Sequence, residues 1–295
     1  MSTLYTLQSK NVHKTWLLMS TFFVIIIAIG FVFSQAYGNP NILYFFIIFS
    51  IVMNITSYWY SDKIAIKMSG AVLADPNQFR DLHNVVENLA ITAGLPKPRV
   101  FIINDTAPNA FATGRDKEHS AVAVTTGLLS ILDRNELEGV IAHELSHISN
   151  RDILVSTVAV VLAGFISIVA DIFLRSQLFG GRDNDSKGGN IMMIVGIVLA
   201  ILAPIFAMII RLAISRKREF LADASGALLT RYPEGLANAL TKISASGRPM
   251  QKASDATAHL FISNPFGSKG KIGLHRLFMT HPPVEDRIKA LRGMV

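Results

Sequence analysis

Four long apolar runs constrain this chain more than any other feature: Trp16–Phe33, Ile42–Trp59, Ile153–Leu174 and Ile191–Ile214. Each has the length, about 18 residues or more, at which an α-helix crosses the hydrocarbon core of a bilayer. A lipid-facing segment has to satisfy its backbone polar groups internally, so the expected elements are transmembrane helices. The ionisable residues Asp171 and Arg211 lie near run ends, and only Asn54 and Pro204 interrupt run interiors. A transporter or channel would place ionisable groups near mid-bilayer, which disfavours that class. The first run is longer than the apolar core of a cleaved signal and a second follows at once, so it reads as a retained anchor. With 51% hydrophobic and 17% charged residues, the chain is too apolar for an ordinary soluble protein of 295 residues.

Charge sets the expected orientation. Lys10 and Lys14 precede the first run, Lys63 and Lys67 follow the second, and Arg211, Arg216, Lys217 and Arg218 close the fourth, whereas Ser34–Asn41 is uncharged. The positive-inside rule then puts both termini and both polar regions in the cytoplasm. Arg175–Asn190, with basic and acidic residues together, is the second outward loop. The expected organisation is an N-terminal membrane hairpin (1–60), a polar segment (61–152), a second membrane hairpin (153–214) and a C-terminal polar segment (215–295). The net charge of +7 sits at membrane flanks, where it suits a lipid bilayer and not nucleic acid. With no cysteine in the chain, any metal must be held by histidine and carboxylate.

Within the first polar segment, Phe79, Leu82, Val86, Leu89 and Ala93 recur at helical spacing before Gly94 and Pro96. "RVFIIND" and "SAVAVTTG" are β-rich and bounded by turn residues. Asp133 and Glu136 then form a D-x-x-E capping signal ahead of the apolar face Leu137, Val140, Ile141, Leu145 and Ile148. That helix carries "HELSH". One turn apart, His143 and His147 aim two imidazoles at one zinc ion, and Glu144 reaches its water as general base. The expected fold class is therefore α+β, mostly helical: an integral membrane protein with four transmembrane helices and a cytosolic, zincin-like catalytic domain.

A catalytic zinc needs a third protein ligand. A metzincin would have glycine and histidine where Asn150 and Ile153 stand, so that class is excluded. The best-placed alternative is Glu219 in "SRKREFLADASG", with Asp223 one turn on and on the same face. A hairpin of the third and fourth runs leaves the membrane surface just after His147 and returns just before Glu219. Asp223 would then accept a hydrogen bond from a ligand imidazole and fix its tautomer.

Together HELSHISNRD, REFLADASG, PNAFATG and THPPVEDRI resemble the HtpX family of membrane-bound zinc metalloproteases, relatives of the CAAX prenyl proteases. The resemblance spans nearly the whole chain. It implies an endopeptidase of the bacterial cytoplasmic membrane, multi-pass, with its active site facing the cytosol and one zinc per chain. Its substrates would be polypeptides, misfolded or damaged membrane proteins, cleaved in quality control under stress. The HExxH and ExxxD motifs map onto His143, Glu144, His147, Glu219 and Asp223. The resemblance also suggests His281 or Arg287 as a second electrophile for the developing oxyanion. Asn109, Ala110 and Phe111 of PNAFATG would lie on an edge strand or loop that pairs with extended substrate. An inactive scaffold that binds client proteins and a CAAX-type prenyl protease are the alternatives; intact Glu144 argues against the first and the count of four runs against the second.

Overall fold

A computed structural model of the chain describes residues 4–162, 164–165, 216–254, 257–267 and 282–294. Two long helices open it, α1 (Leu4–Tyr37) and α2 (Pro40–Trp59), joined at Gly38 and Asn39. The Asn39 side chain accepts from the Asn41 N–H, and Pro40 occupies the first helical position, where its missing donor costs nothing. Both helices are long and apolar enough to cross a membrane. α2 leaves Phe45, Ile48, Val52 and Ile55 exposed, as a lipid-facing helix does. The first apolar run was expected to form a helix from Trp16, but α1 begins three turns earlier. "LYTLQSKNVHK" holds no proline or glycine to stop it, and so Asn11 is carried toward the polar lobe.

The first polar segment forms α3 (Ser61–Ser69), β1 (Val72–Leu73), α4 (Arg80–Thr92), β2 (Arg99–Ile103), β3 (Ala110–Gly114), β4 (Ser120–Thr125), α5 (Thr126–Ile131) and α6 (Arg134–Ser149). The strands make one sheet in the order β1-β2-β4-β3, with β2 and β4 parallel and the outer pairs antiparallel. PNAFATG thus supplies an edge strand, β3. The capping box expected for α6 is present, with the Asp133 carboxylate accepting from the Glu136 N–H at 3.0 Å and Glu136 accepting from the Asp133 N–H at 2.8 Å. Lys242 adds a 2.7 Å ion pair to Glu136.

After a left-handed turn at Arg151, helix α7 (Asp152–Leu162) starts the third apolar run. Leu154, Val155, Val158 and Leu162 pack on Leu18, Phe22 and Ile26 of α1 in one buried cluster. The remainder of that run, apart from residues 164–165, and the whole fourth run lie outside the described residues. The C-terminal segment contributes α8 (Arg216–Thr230), α9 (Pro233–Ser246) and α10 (Val284–Arg292). The main core draws Val86, Val122, Val140 and Leu145 from one polar segment and Ala227, Leu240, Ile262 and Leu291 from the other. Where a Cβ on Gly226 would lie, the backbone nitrogen of His143 is only 2.9 Å away. Only glycine allows α8 to approach α6 backbone to backbone at that point, and the approach brings Glu219 to the histidines.

Candidate metal centre and active site

His143, His147 and Glu219 offer ligand atoms that all lie within 4.8 Å of one another. The two Nε2 atoms face each other at 3.2 Å. Glu219 Oε2 is 3.8 Å from His143 Nε2, and Oε1 is 3.6 Å from His147 Nε2. On the far side of each ring a carboxylate takes Nδ1: Asp223 Oδ1 at 2.9 Å for His143 and Asp152 Oδ2 at 3.2 Å for His147. A carboxylate at Nδ1 keeps the proton there, which turns both Nε2 lone pairs toward each other. At 3.2 Å the two nitrogens are held together by a shared proton or by a cation between them. A tetrahedral site with zinc–nitrogen bonds of 2.0–2.1 Å has ligand-to-ligand edges of about 3.3 Å, close to the separations seen here.

Charge and burial shape the residues around this cluster. Burial pushes the Glu144 carboxyl up to about 7, and the Glu219 carboxylate adds to that; His147, the Ala112 N–H and Arg287 pull the other way. Burial likewise pulls His143 down to about 4 against the opposing effect of Asp223. Burial alone would also lower His147, but its hydrogen bond to Asp152 and the charges of Glu219, Asp152 and Glu144 outweigh that and raise it to about 9. Asp223 is buried too, yet the Arg287 guanidinium holds it down to about 2.

Arg287 differs from its expected role. It is wholly buried, donating from Nε and Nη2 to the two Asp223 oxygens at 2.8 and 2.6 Å and from Nη1 to the Ile262 carbonyl at 3.3 Å. Its Nη1 is 3.9 Å from Glu219 Oε2. A guanidinium committed in this way is not free to receive an oxyanion; it steadies Asp223 and Glu219. His281, the other electrophile considered, lies outside the described residues.

The expected substrate strand also differs in detail. Asn109, Ala110 and Phe111 are buried. The Asn109 carboxamide donates to the Ser263 carbonyl at 2.9 Å and accepts from the Ser263 N–H at 3.2 Å, while the Ala110 carbonyl accepts from the Ile262 N–H at 2.9 Å. A buried strand edge needs partners for its backbone groups, and Ile262–Ser263 supplies them here. The Ala112 N–H points the same way and meets Glu144. Glu219 and Asp223 stand beside the histidines, where their shared helical face was expected to bring them; Asp152 was not expected there, and the "NRD" that follows HELSHIS was its local signal.

The profile of Peptidase family M48 matches residues 76–295, which include every residue of this cluster. The chain belongs to peptidase family M48. This M48 chain is 51% identical over 299 residues to the Protease HtpX homolog of Caldanaerobacter subterraneus subsp. tengcongensis, an alignment that covers 99% of this chain and 98% of that one. It is 51% identical to the homolog from Thermoanaerobacter pseudethanolicus over the same shares of both chains. With the Protease HtpX homolog of Pyrococcus furiosus it shares 48% identity, covering 95% of this chain and 94% of that one. Among solved structures, the crystal structure of S. mikatae Ste24p superposes with a TM-score of 0.50 at 18% identity, covering 97% of this chain and 67% of that chain; it speaks for the fold alone. The M48 chain is a metalloprotease, with a cluster of two histidines and a glutamate suited to a metal ion.

Proposed function

We propose that this M48 metalloprotease is a zinc-dependent endopeptidase anchored in the bacterial cytoplasmic membrane, with its site on the cytosolic side. Its substrates are polypeptides, chiefly damaged or misfolded membrane proteins. The observation that carries the reading is the pair of Nε2 atoms facing each other at 3.2 Å, with Glu219 beside both and each Nδ1 tied to a carboxylate. That donor set of two imidazoles and one carboxylate, with no thiolate in the chain, suits zinc in a catalytic site better than an oxygen-preferring cation. Two apolar helices beside the lobe and the basic residues at their polar ends support the membrane placement. Four spans in two hairpins, with the polar segments 61–152 and 215–295 forming one catalytic lobe, are part of the same proposal.

His143, His147 and Glu219 would hold the zinc, which when bound polarises the scissile carbonyl and acidifies a water. Glu144, buried next to this cluster, takes the proton of the attacking water and returns it to the leaving amine. Burial raises its carboxyl above the ordinary carboxylate range, which favours a group that both takes up and gives back a proton. Asp223 holds the His143 ring and Arg287 holds Asp223. Extended substrate would align beyond the part of the β3 rim that Ile262–Ser263 covers, next to Ala112, whose N–H meets Glu144. His281 remains a proposed partner for the oxyanion.

The test is metal analysis of the purified full chain beside proteolysis of unfolded casein. One zinc per chain and measurable cleavage are expected. Glu144→Gln should keep the zinc and lose about 10²-fold or more in turnover. Equal activity in that variant would end this mechanism.

A further inference from the structure

The anchor of His147 reaches outside the segment that the family profile covers. Asp152 Oδ2 holds His147 Nδ1, and Asp152 Oδ1 accepts from the Asn11 amide of α1 at 2.6 Å. The other carboxamide contact of Asn11 is with the Asn150 carbonyl, 3.1 Å from Nδ2. Asn11 and Asp152 are both buried, at 5% and 4% exposure, so neither contact is a chance meeting of surface side chains. Arg218 Nη1 stands 3.7 Å from Asp152 Oδ1 and adds charge without a hydrogen bond.

The turn that delivers Asp152 needs such a brace. Arg151 takes φ 57, a left-handed conformation that costs a non-glycine residue about 1 kcal/mol or more. It lies between α6 and α7, and the carboxylate five positions after His147 meets the ring. Asn11 grips both sides of that turn at once, the Asn150 carbonyl before Arg151 and the Asp152 carboxylate after it. The profile match begins at residue 76, so this grip comes from a helix outside the matched protease segment.

We propose that Asn11 is a positioning residue for the metal centre: through Asp152 it fixes the orientation and tautomer of His147, making the first membrane helix a working part of the site. This rests on His143, His147 and Glu219 being the ligands. An imidazole whose Nδ1 partner is lost can rotate or place its proton on Nε2, and either change removes a donor from the metal. The class of contact predicts the size of the effect. Loss of the carboxylate itself weakens binding by about 10–100-fold, and loss of the amide behind it by about 3–10-fold.

A double-mutant cycle on the full-length protein in detergent, read as zinc affinity by competition with a chromophoric chelator, separates this role from mere packing. Asn11→Ala should bind zinc about 3–10-fold more weakly, Asp152→Ala about 10–100-fold more weakly, and the double variant no more weakly than Asp152→Ala. Asn11→Asp keeps the shape of the side chain but removes both donors, and should be at least as weak as Asn11→Ala. If Asn11→Ala does not purify folded, the isosteric variant is judged by the same limits. Affinity within twofold of the native chain in the Asn11 variants would overturn the proposal, as would fully additive losses in the double variant. Failure of the underlying reading looks different: Glu219→Ala would then bind zinc as the native chain does.

Discussion

The two histidines of the centre are anchored from opposite ends of the chain, and the two anchors are built differently. On the His143 side, Asp223 is gripped bidentately by Arg287 of α10, a charged pair buried on all sides and contained in residues 76–295. On the His147 side, Asp152 is held by the neutral amide of Asn11 in α1, with Arg218 at 3.7 Å. The His147 side chain is also the more open, 16% exposed against 1% for His143. A buried ion pair with both carboxylate oxygens matched to two guanidinium nitrogens is rigid, and breaking it strands a charge. An amide–carboxylate contact is weaker, and its loss strands less. The same job, holding Nδ1, is therefore done by a stiff clamp inside the protease lobe and by a softer one borrowed from the N-terminal apolar helix α1.

Glu219 touches both sides, so its removal has the largest effect: Glu219→Ala is expected to lose most bound zinc and all cleavage of casein, checked by metal analysis. A full equivalent of zinc in that variant would mean that the two anchored rings do not share a ligand. The next largest effect is on pH. Glu144 acts only when ionised, and burial raises its carboxyl from 4.5 to about 7 before any cation is bound. A nearby divalent cation lowers it again, so kcat/KM should fall about tenfold per pH unit on an acid limb lying at or below pH 7. A kcat/KM that rises as pH falls below 7 would remove Glu144 as base.

Arg287→Met tests the stiff side. It leaves Asp223 buried without its partner and should destabilise the protein by about 3–5 kcal/mol, read from denaturant unfolding of the lobe signal. Asn11→Ala, in the same measurement, should cost only about 1 kcal/mol. Equal costs would erase the distinction between the anchors. Between these lies Gly226→Ala, whose methyl would sit 2.9 Å from the His143 nitrogen and force α8 off α6. The expected loss is about 1–3 kcal/mol, seen as a lowered Tm together with weaker zinc binding.

Much of this was legible in the order of residues, because helices turn local spacing into geometry. Asp133 and Glu136 cap α6, His143 and His147 share its face, and Glu219 and Asp223 share a face of α8; each pair lies three or four residues apart, and each forms as its spacing requires. The β-rich stretches RVFII and SAVAVT became β2 and β4 for a local reason too: short apolar runs rich in valine and isoleucine, bounded by turn residues. What spacing cannot express is which distant element arrives beside which. The strand order β1-β2-β4-β3, the capping of the β3 rim by Ile262–Ser263 and the withdrawal of Arg287 into a buried clamp all depend on pairings across the fold. Asn11 and Asp152 meet across 141 positions of sequence. That contact exists only because α1 runs three turns past its apolar core, α7 packs its first turns on the same helix, and the strained turn at Arg151 aims the carboxylate into the gap. The sequence by itself determined the chemistry of the centre, since imidazole and carboxylate at helical spacing define what can be bound. Tertiary structure alone decided how each ring is held, since a buried polar group must find its partner wherever packing puts one.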